Sequence, residues 1–341
     1  MYSLGYQTNL RFSIVFIFIK EQETYSRFST FARSKSQNEF MQKPTLLILA
    51  AGMGSRYGGI KQLDAFGPNG ETIIDYSLFD AIRGGFGKVV FIIREELKED
   101  FQRIFGPKLE GKIDYDFAIQ GVQSYVPADL GTITRTKPWG TGHAVLCAWE
   151  QTKTAFAVIN ADDFYGAAAF QTMADFLSAQ TSPTEHAMVG YLLKNTLSEN
   201  GSVSRGVCVP NETGHLVSVT ERTEIIQEES GDIVFIDGGN KHALSPDTVV
   251  SMNFWGFQAG VFPAIQAMFE TYARKNVDSP KAEFYIPTVM TQLIESNEGS
   301  CRVFESDSDW FGVTYPEDKP TVQKSIQNLV SSGAYPVTLW S

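Results

Sequence analysis

Apolar and polar positions follow two different periods along this chain, and their alternation predicts the architecture. Leu46–Leu49 (LLIL), Lys88–Ile93 (KVVFII), Tyr115–Ile119 and Phe156–Asn160 (FAVIN) are short apolar runs, the pattern of strands buried on both faces of a parallel sheet. Between them, Thr72–Arg83 (TIIDYSLFDAIR) carries apolar residues at helical spacing, with Gly84 and Gly85 to stop it, and Glu95–Phe105 reads as a charged surface helix. Another helix is expected from the glycine-rich Pro138–Ala144 to about Glu150. Such alternation predicts an α/β fold with a doubly wound, mostly parallel sheet and right-handed crossovers. Ligands then bind beyond the carboxyl ends of the strands.

The second half has a different texture. A strand over His186–Leu193 is followed by Gly201–Val209, a turn at Asn211–Gly214 and Leu216–Glu221, which together read as a hairpin. Ile233–Asp237 and Val249–Phe257 are further strands. Helices are expected over Pro263–Lys275, from near Pro287 to Ser296, and up to about Ser331. There are no repeats or low-complexity tracts, and residues 41–335 are expected to form one domain. Ahead of it, the apolar stretch Phe12–Ile19 is far shorter than the roughly 20 residues that span a bilayer. No small-x-small cleavage site follows it, so Met41 is expected to be the natural start and residues 1–40 a disordered or mis-assigned extension.

Composition narrows the function class. The 341 residues carry a formal net charge of −11, which argues against nucleic acid or an anionic membrane as partner. Cys147, Cys208 and Cys301 are far apart and lack C-x-x-C spacing, so they read as reduced core residues of a cytoplasmic protein.

In an acidic chain, local clusters of cations stand out. The segment Leu46–Lys61 (LLILAAGMGSRYGGIK) is a buried strand, then a turn of small residues and glycine with Arg56 and Lys61. Glycines let backbone N–H groups approach a ligand closely, so the segment is a phosphate cradle in physical terms. It is not the dinucleotide fingerprint, whose third glycine is Tyr57 here, nor a P-loop, because Gly59 is followed by Ile60 and Lys61.

Ala51-Gly52-Met53-Gly54-Ser55-Arg56, followed by Lys61-Gln62-Leu63, resembles the signature of the nucleotidyltransferases that activate sugar 1-phosphates. The string Gly140-Thr141-Gly142-His143-Ala144 is similar to one that, paired with a glutamine, holds the base in uridylyltransferases of that family. The resemblance spans roughly Thr45–Ser331. It implies a Rossmann-like three-layer sheet with an inserted β-rich sugar-binding part, a nucleotide-binding half over about 44–195 and an acceptor-binding half over about 196–335. By the same resemblance Ala51, Gly52, Gly54, Gln120, Gly140 and Thr141 bind the nucleotide, and Arg56 and Lys61 are catalytic. Asp162 stands where the family holds Mg²⁺, with Ala161 replacing a glycine; Asp163 is either a second metal ligand or the cap of the helix that follows. Gly206, Glu221 and Asn253 match sugar-binding positions, and Arg222 stands in for a lysine that grips the sugar phosphate. In the closing element Trp310–Asp318, Thr314 replaces a metal-binding Asn or Asp. Read by themselves, His143 is expected to face solvent or pack locally, and Glu283 to be solvated.

The implied reaction is attack by a sugar 1-phosphate oxygen on the α-phosphorus of a nucleoside triphosphate, UTP by the base-site match, with pyrophosphate expelled. A phosphate monoester has its second pKa near ~6, so the nucleophile is already ionised and no general base is required. That agrees with four histidines and no recognisable nucleophile–histidine pairing. Catalysis then rests on positioning and charge cancellation. Alternatives are a non-sugar acceptor such as phosphocholine, a polyol phosphate or molybdopterin, a non-catalytic relative of the same fold, and, most distant, a dehydrogenase.

Overall fold

Strand β1 (Thr45–Leu49) has no face that tolerates water: Leu46, Leu47 and Ile48 are completely buried. It pairs in parallel with β2 (Lys88–Ile93) on one side and β4 (Phe156–Asn160) on the other, and β3 (Asp114–Ile119) closes that edge, in the order β3-β2-β1-β4. This is the parallel core that the apolar runs predict. The computed structural model describes residues 42–52, 64–179, 182–306, 308, 310–313 and 315–340. Those from Lys43 onward belong to one unit.

Two helical layers cover the sheet. On one face lie α1 (Ile73–Gly84), α2 (Lys98–Leu109) and α4 (Ala167–Ser178), burying Leu78, Phe101, Phe105, Phe170 and Met173 in one cluster with Leu46, Phe91 and Ile159 of the strands. On the other lie α3 (Thr141–Cys147), α5 (Phe262–Asn276) and α6 (Ile286–Glu295) with Val145, Phe269 and Met290. Each such side chain contributes roughly 1.5–3 kcal/mol by leaving water. Helix α1 starts where the sequence places it, since Thr72 and Asp75 form a capping box, and it ends at Gly85 with φ 97°.

Beyond β4 the sheet becomes antiparallel. Strand β11 (Val249–Phe257) pairs with β4 through Trp255–Phe257 and with β7 (Val203–Pro210) through Val250 and Ser251, while β6 (Glu185–Leu192) runs along its other side. The sheet therefore forks inside β11. At the fork the register shifts, and Asn253 takes a left-handed φ of 64°; asparagine is among the few non-glycine residues that do so readily. From β7 the sheet continues through β8 (Leu216–Gln227), β9 (Ile233–Asp237) and β10 (Asn240–Leu244). Strand β12 (Ser300–Glu305) lies parallel beside β6. A separate ribbon pairs β5 (Asp163–Phe164) with β13 (Phe311–Gly312), packed by α7 (Lys319–Ser331) and the C-terminal residues Tyr335 and Leu339.

Several elements differ from the sequence expectation. Glu95–Leu97 is a 3-10 turn ahead of α2, and α3 ends at Cys147 rather than Glu150. Gly206 lies within β7, and β8 runs six residues past Glu221, to Gln227. Strands β10 and β12 carry no apolar run: β10 is an exposed edge, and β12 has only one fully buried side chain, Cys301. The cysteines are free and buried as expected. Among the described residues no helix is long and apolar enough to cross a membrane.

Candidate active site

Register brings the ends of the four parallel strands to one level. Leu49 pairs with Ile92 and with Asn160, and Ile93 with Ile119, so the strand ends form one row, and Ala51, Arg94, Gln120 and Asp162 follow them by one or two residues. At about 4.8 Å per strand, the ends of β3 and β4 are about 14 Å apart along it. The order β3-β2-β1-β4 reverses between β1 and β4, the topological switch point at which such sheets open a crevice. Ala51 is buried, whereas Gly52 is exposed and an added Cβ there would meet nothing within 4 Å. Packing among the described residues does not demand that glycine. Gly54, Arg56, Lys61 and Thr314 lie outside the described residues.

At one end of the row, Gln120 is buried and its Nε2 donates to Gly140 O at 2.9 Å. Gly140 has φ 100°, and a Cβ would come within 2.7 Å of Phe284 O, so both conformation and space require glycine. The 139–142 turn is pinned to the start of α6: Gly142 N donates to Phe284 O at 2.8 Å, and Thr141 Oγ1 accepts from Ile286 N at 3.1 Å. Arg135 braces the same turn by stacking on Trp139, 3.7 Å from the ring centroid, and donating to the carbonyls of Lys137, Pro138 and Ala282.

At the other end the two aspartates separate. Asp162 is partly buried, while Asp163 is buried and its Oδ2 accepts from Asn160 Nδ2 at 2.8 Å and Tyr165 Oη at 3.2 Å. Asp163 does not cap α4, whose N-cap is Gly166 without a side-chain bond. The chain of bonds continues into the second half: Asn253 Nδ2 donates to Asn160 Oδ1 at 3.2 Å, and Trp255 Nε1 donates to Asn253 Oδ1 at 3.2 Å. Glu221 pairs with Gly206 in register. It is exposed, yet desolvation by the surrounding protein raises its pKa while Arg205 lowers it, as for a carboxylate lining a concave surface.

A family model, nucleotidyl transferase, matches residues 45–318. The chain belongs to that family. It is a nucleotidyltransferase. Among solved structures, the inositol-1-phosphate CTP transferase from T. maritima is similar at TM-score 0.57 and 12% identity, covering 85% of this chain and 97% of that one. A Bacillus anthracis protein assigned as a glucose-1-phosphate thymidylyltransferase, in complex with sucrose, is similar at TM-score 0.56 and 13% identity, covering 83% of this chain and 95% of that one. At such identities the likeness shows the fold. No curated protein matches the sequence.

The structure places three more of this nucleotidyltransferase's side chains. His143 is fully buried, so it packs rather than faces solvent, because the short α3 is covered by α5. Glu283 is mostly shielded and ion-paired with Lys137 instead of solvated. Arg222 lies over the Phe235 ring at 4.5 Å, with Asp237 3.5 Å away. The cation that acts electrostatically on Glu221 is Arg205, buried and bonded to the carbonyls of Thr196 and Ser204. Burial lowers its pKa to about 10, and Asp163, Glu221 and Asp318 oppose that shift, so it remains charged. Asn160, Tyr165 and Arg205 were not singled out from the sequence. Asn160 carried a signal, a polar residue closing an apolar strand directly before two aspartates.

Proposed function

We propose that this nucleotidyltransferase transfers a uridylyl group from UTP to a sugar 1-phosphate and releases pyrophosphate, with Mg²⁺. The observation that carries the reading is the row across the switch point, with Gln120 at one end, the glycine segment from Ala51 in the middle and Asp162 at the other end. A nucleotide laid along it has its base at Gln120, Gly140 and Thr141 and its phosphates between Gly52 and Asp162. The sugar lies toward Gly206, Glu221 and Asn253, the last of which Asn160 links to Asp163.

The acceptor's phosphate oxygen forms a bond to the α-phosphorus as the bond to the β-phosphate oxygen breaks, and pyrophosphate leaves with that electron pair. No proton has to move. Gly52, Gly54 and Arg56 hold the β- and γ-phosphates, and Lys61 holds the α-phosphate as charge builds on its equatorial oxygens. Among the described residues no three His, Cys, Asp or Glu side chains gather. Asp162 suits an ion that retains several waters and substrate oxygens, whereas Asp163 Oδ2 already accepts two bonds and serves to set the aspartate pair in place. Mg²⁺ bound there would neutralise phosphate charge.

The test is pyrophosphate release over a grid of nucleoside triphosphates against sugar 1-phosphates, polyol phosphates and phosphocholine, with and without Mg²⁺. Release with UTP and a sugar 1-phosphate is expected. Release only with a non-sugar acceptor would overturn the acceptor assignment, and none with any pair would overturn turnover itself.

A further inference from the structure

His143 takes no part in that reaction, yet it touches the side chain assigned to the base. Its ring packs against Phe269 with centroids 4.5 Å apart, and Cys147 Sγ lies 3.6 Å from Nε2. Nε2 is 2.8 Å from Ser124 O, which can only accept, so Nε2 carries the proton. Burial pushes the imidazole pKa down to about 4, leaving the ring neutral with a lone pair on Nδ1. That lone pair is 3.3 Å from Gln120 Nε2, the nitrogen that also donates to Gly140 O. Two acceptors at one end of an amide are satisfied only by its NH₂. Turned over, the amide would set Oε1 against a lone pair and a carbonyl in a buried space.

We propose that His143 is a positioning residue that locks the Gln120 amide with Oε1 as its remaining pairing atom, so that the site selects uracil or thymine over cytosine. The inference rests on the assignment of Gln120 to the base. Uracil and thymine carry N–H at ring position N3 and can donate to Oε1. Cytosine has a lone pair there, and two acceptors facing each other in a water-excluded site lose affinity by about tenfold to a hundredfold.

Binding of UTP, dTTP and CTP to the full chain is measured by calorimetry for the wild type, His143→Phe, His143→Asn and Gln120→Leu. The wild type is expected to bind UTP and dTTP at least about tenfold tighter than CTP. His143→Phe keeps a ring against Phe269 but has no acceptor and should bring that ratio toward one; His143→Asn, whose Oδ1 takes the place of Nδ1, should retain it. A wild type that binds CTP as well as UTP, or an unchanged ratio in His143→Phe, overturns the proposal. Wild-type affinities for all three nucleotides in Gln120→Leu, or no binding of any to the wild type, would instead sink the base assignment. If His143→Phe does not fold, nitrogen-15 shifts of the wild-type imidazoles decide. A neutral ring protonated on Nε2 at neutral pH supports the lock, and a proton on Nδ1 refutes it.

Discussion

Asp162 and Asp163 are neighbours in sequence and differ in situation. Asp163 is buried with two donors on one oxygen, so Asp163→Ala removes charged hydrogen bonds and leaves Asn160 Nδ2 without its acceptor. It should lose roughly 1.5–3 kcal/mol of stability in urea unfolding. Asp162→Ala should change stability by less than about 1 kcal/mol while lowering turnover by about two to three decades. Lys61→Ala should lower turnover by a similar two to three decades with folding intact, and near-wild-type turnover would remove Lys61 from the mechanism. The sequence marked both aspartates by their place after an apolar strand. It could not separate their roles, because the partners of Asp163 include a tyrosine whose hydroxyl also reaches Met252 O, 87 residues on.

At the scale of elements, legibility followed burial on two faces. LLIL, KVVFII and FAVIN announce themselves because nothing polar interrupts them, and they fix where the row of site residues lies. Strand β10 is held mainly by its ladder to β9, which leaves little pattern to read. The fork in β11 was hidden as well, since VVSMNFWGF reads as one uninterrupted strand. Glycines of the two binding loops differ in kind, and that difference can be measured. Gly140→Ala places a Cβ at φ 100° and 2.7 Å from Phe284 O; it should lose roughly 1–3 kcal/mol of stability. Gly52→Ala meets nothing within 4 Å among the described residues. It should leave stability within about 0.5 kcal/mol of wild type and weaken nucleotide binding. If calorimetry finds binding unchanged, the space beside Gly52 does not belong to the ligand.

For the whole molecule, the C-terminal segment fastens onto α1, and that contact sets part of the pH dependence of folding. Tyr335 Oη donates to Asp80 Oδ2 at 2.7 Å, Trp340 Nε1 donates to Asp75 Oδ1 at 2.8 Å, and Arg83 lies 2.7 Å from Asp80 Oδ1. Burial raises the Asp80 pKa from 3.8 to about 6, and it outweighs the bonds from Tyr335 and Arg83. Between those values the folded chain holds a proton that the unfolded chain has released, so this group makes stability fall as pH rises. His143 and His186 act the other way: burial lowers each from 6.5 to about 4, so in that window the unfolded chain binds the extra protons and stability rises with pH. Across roughly pH 4 to 6 the three groups sum to about one proton in favour of the unfolded chain, or about 1.4 kcal/mol of added stability per pH unit. Asp80→Asn removes the opposing proton. Its unfolding free energy should climb more steeply than that of the wild type by about 1.4 kcal/mol per pH unit through this window and run parallel to it above. Urea titrations of both proteins at several pH values check this, and equal slopes would mean that Asp80 is ionised in the folded chain throughout.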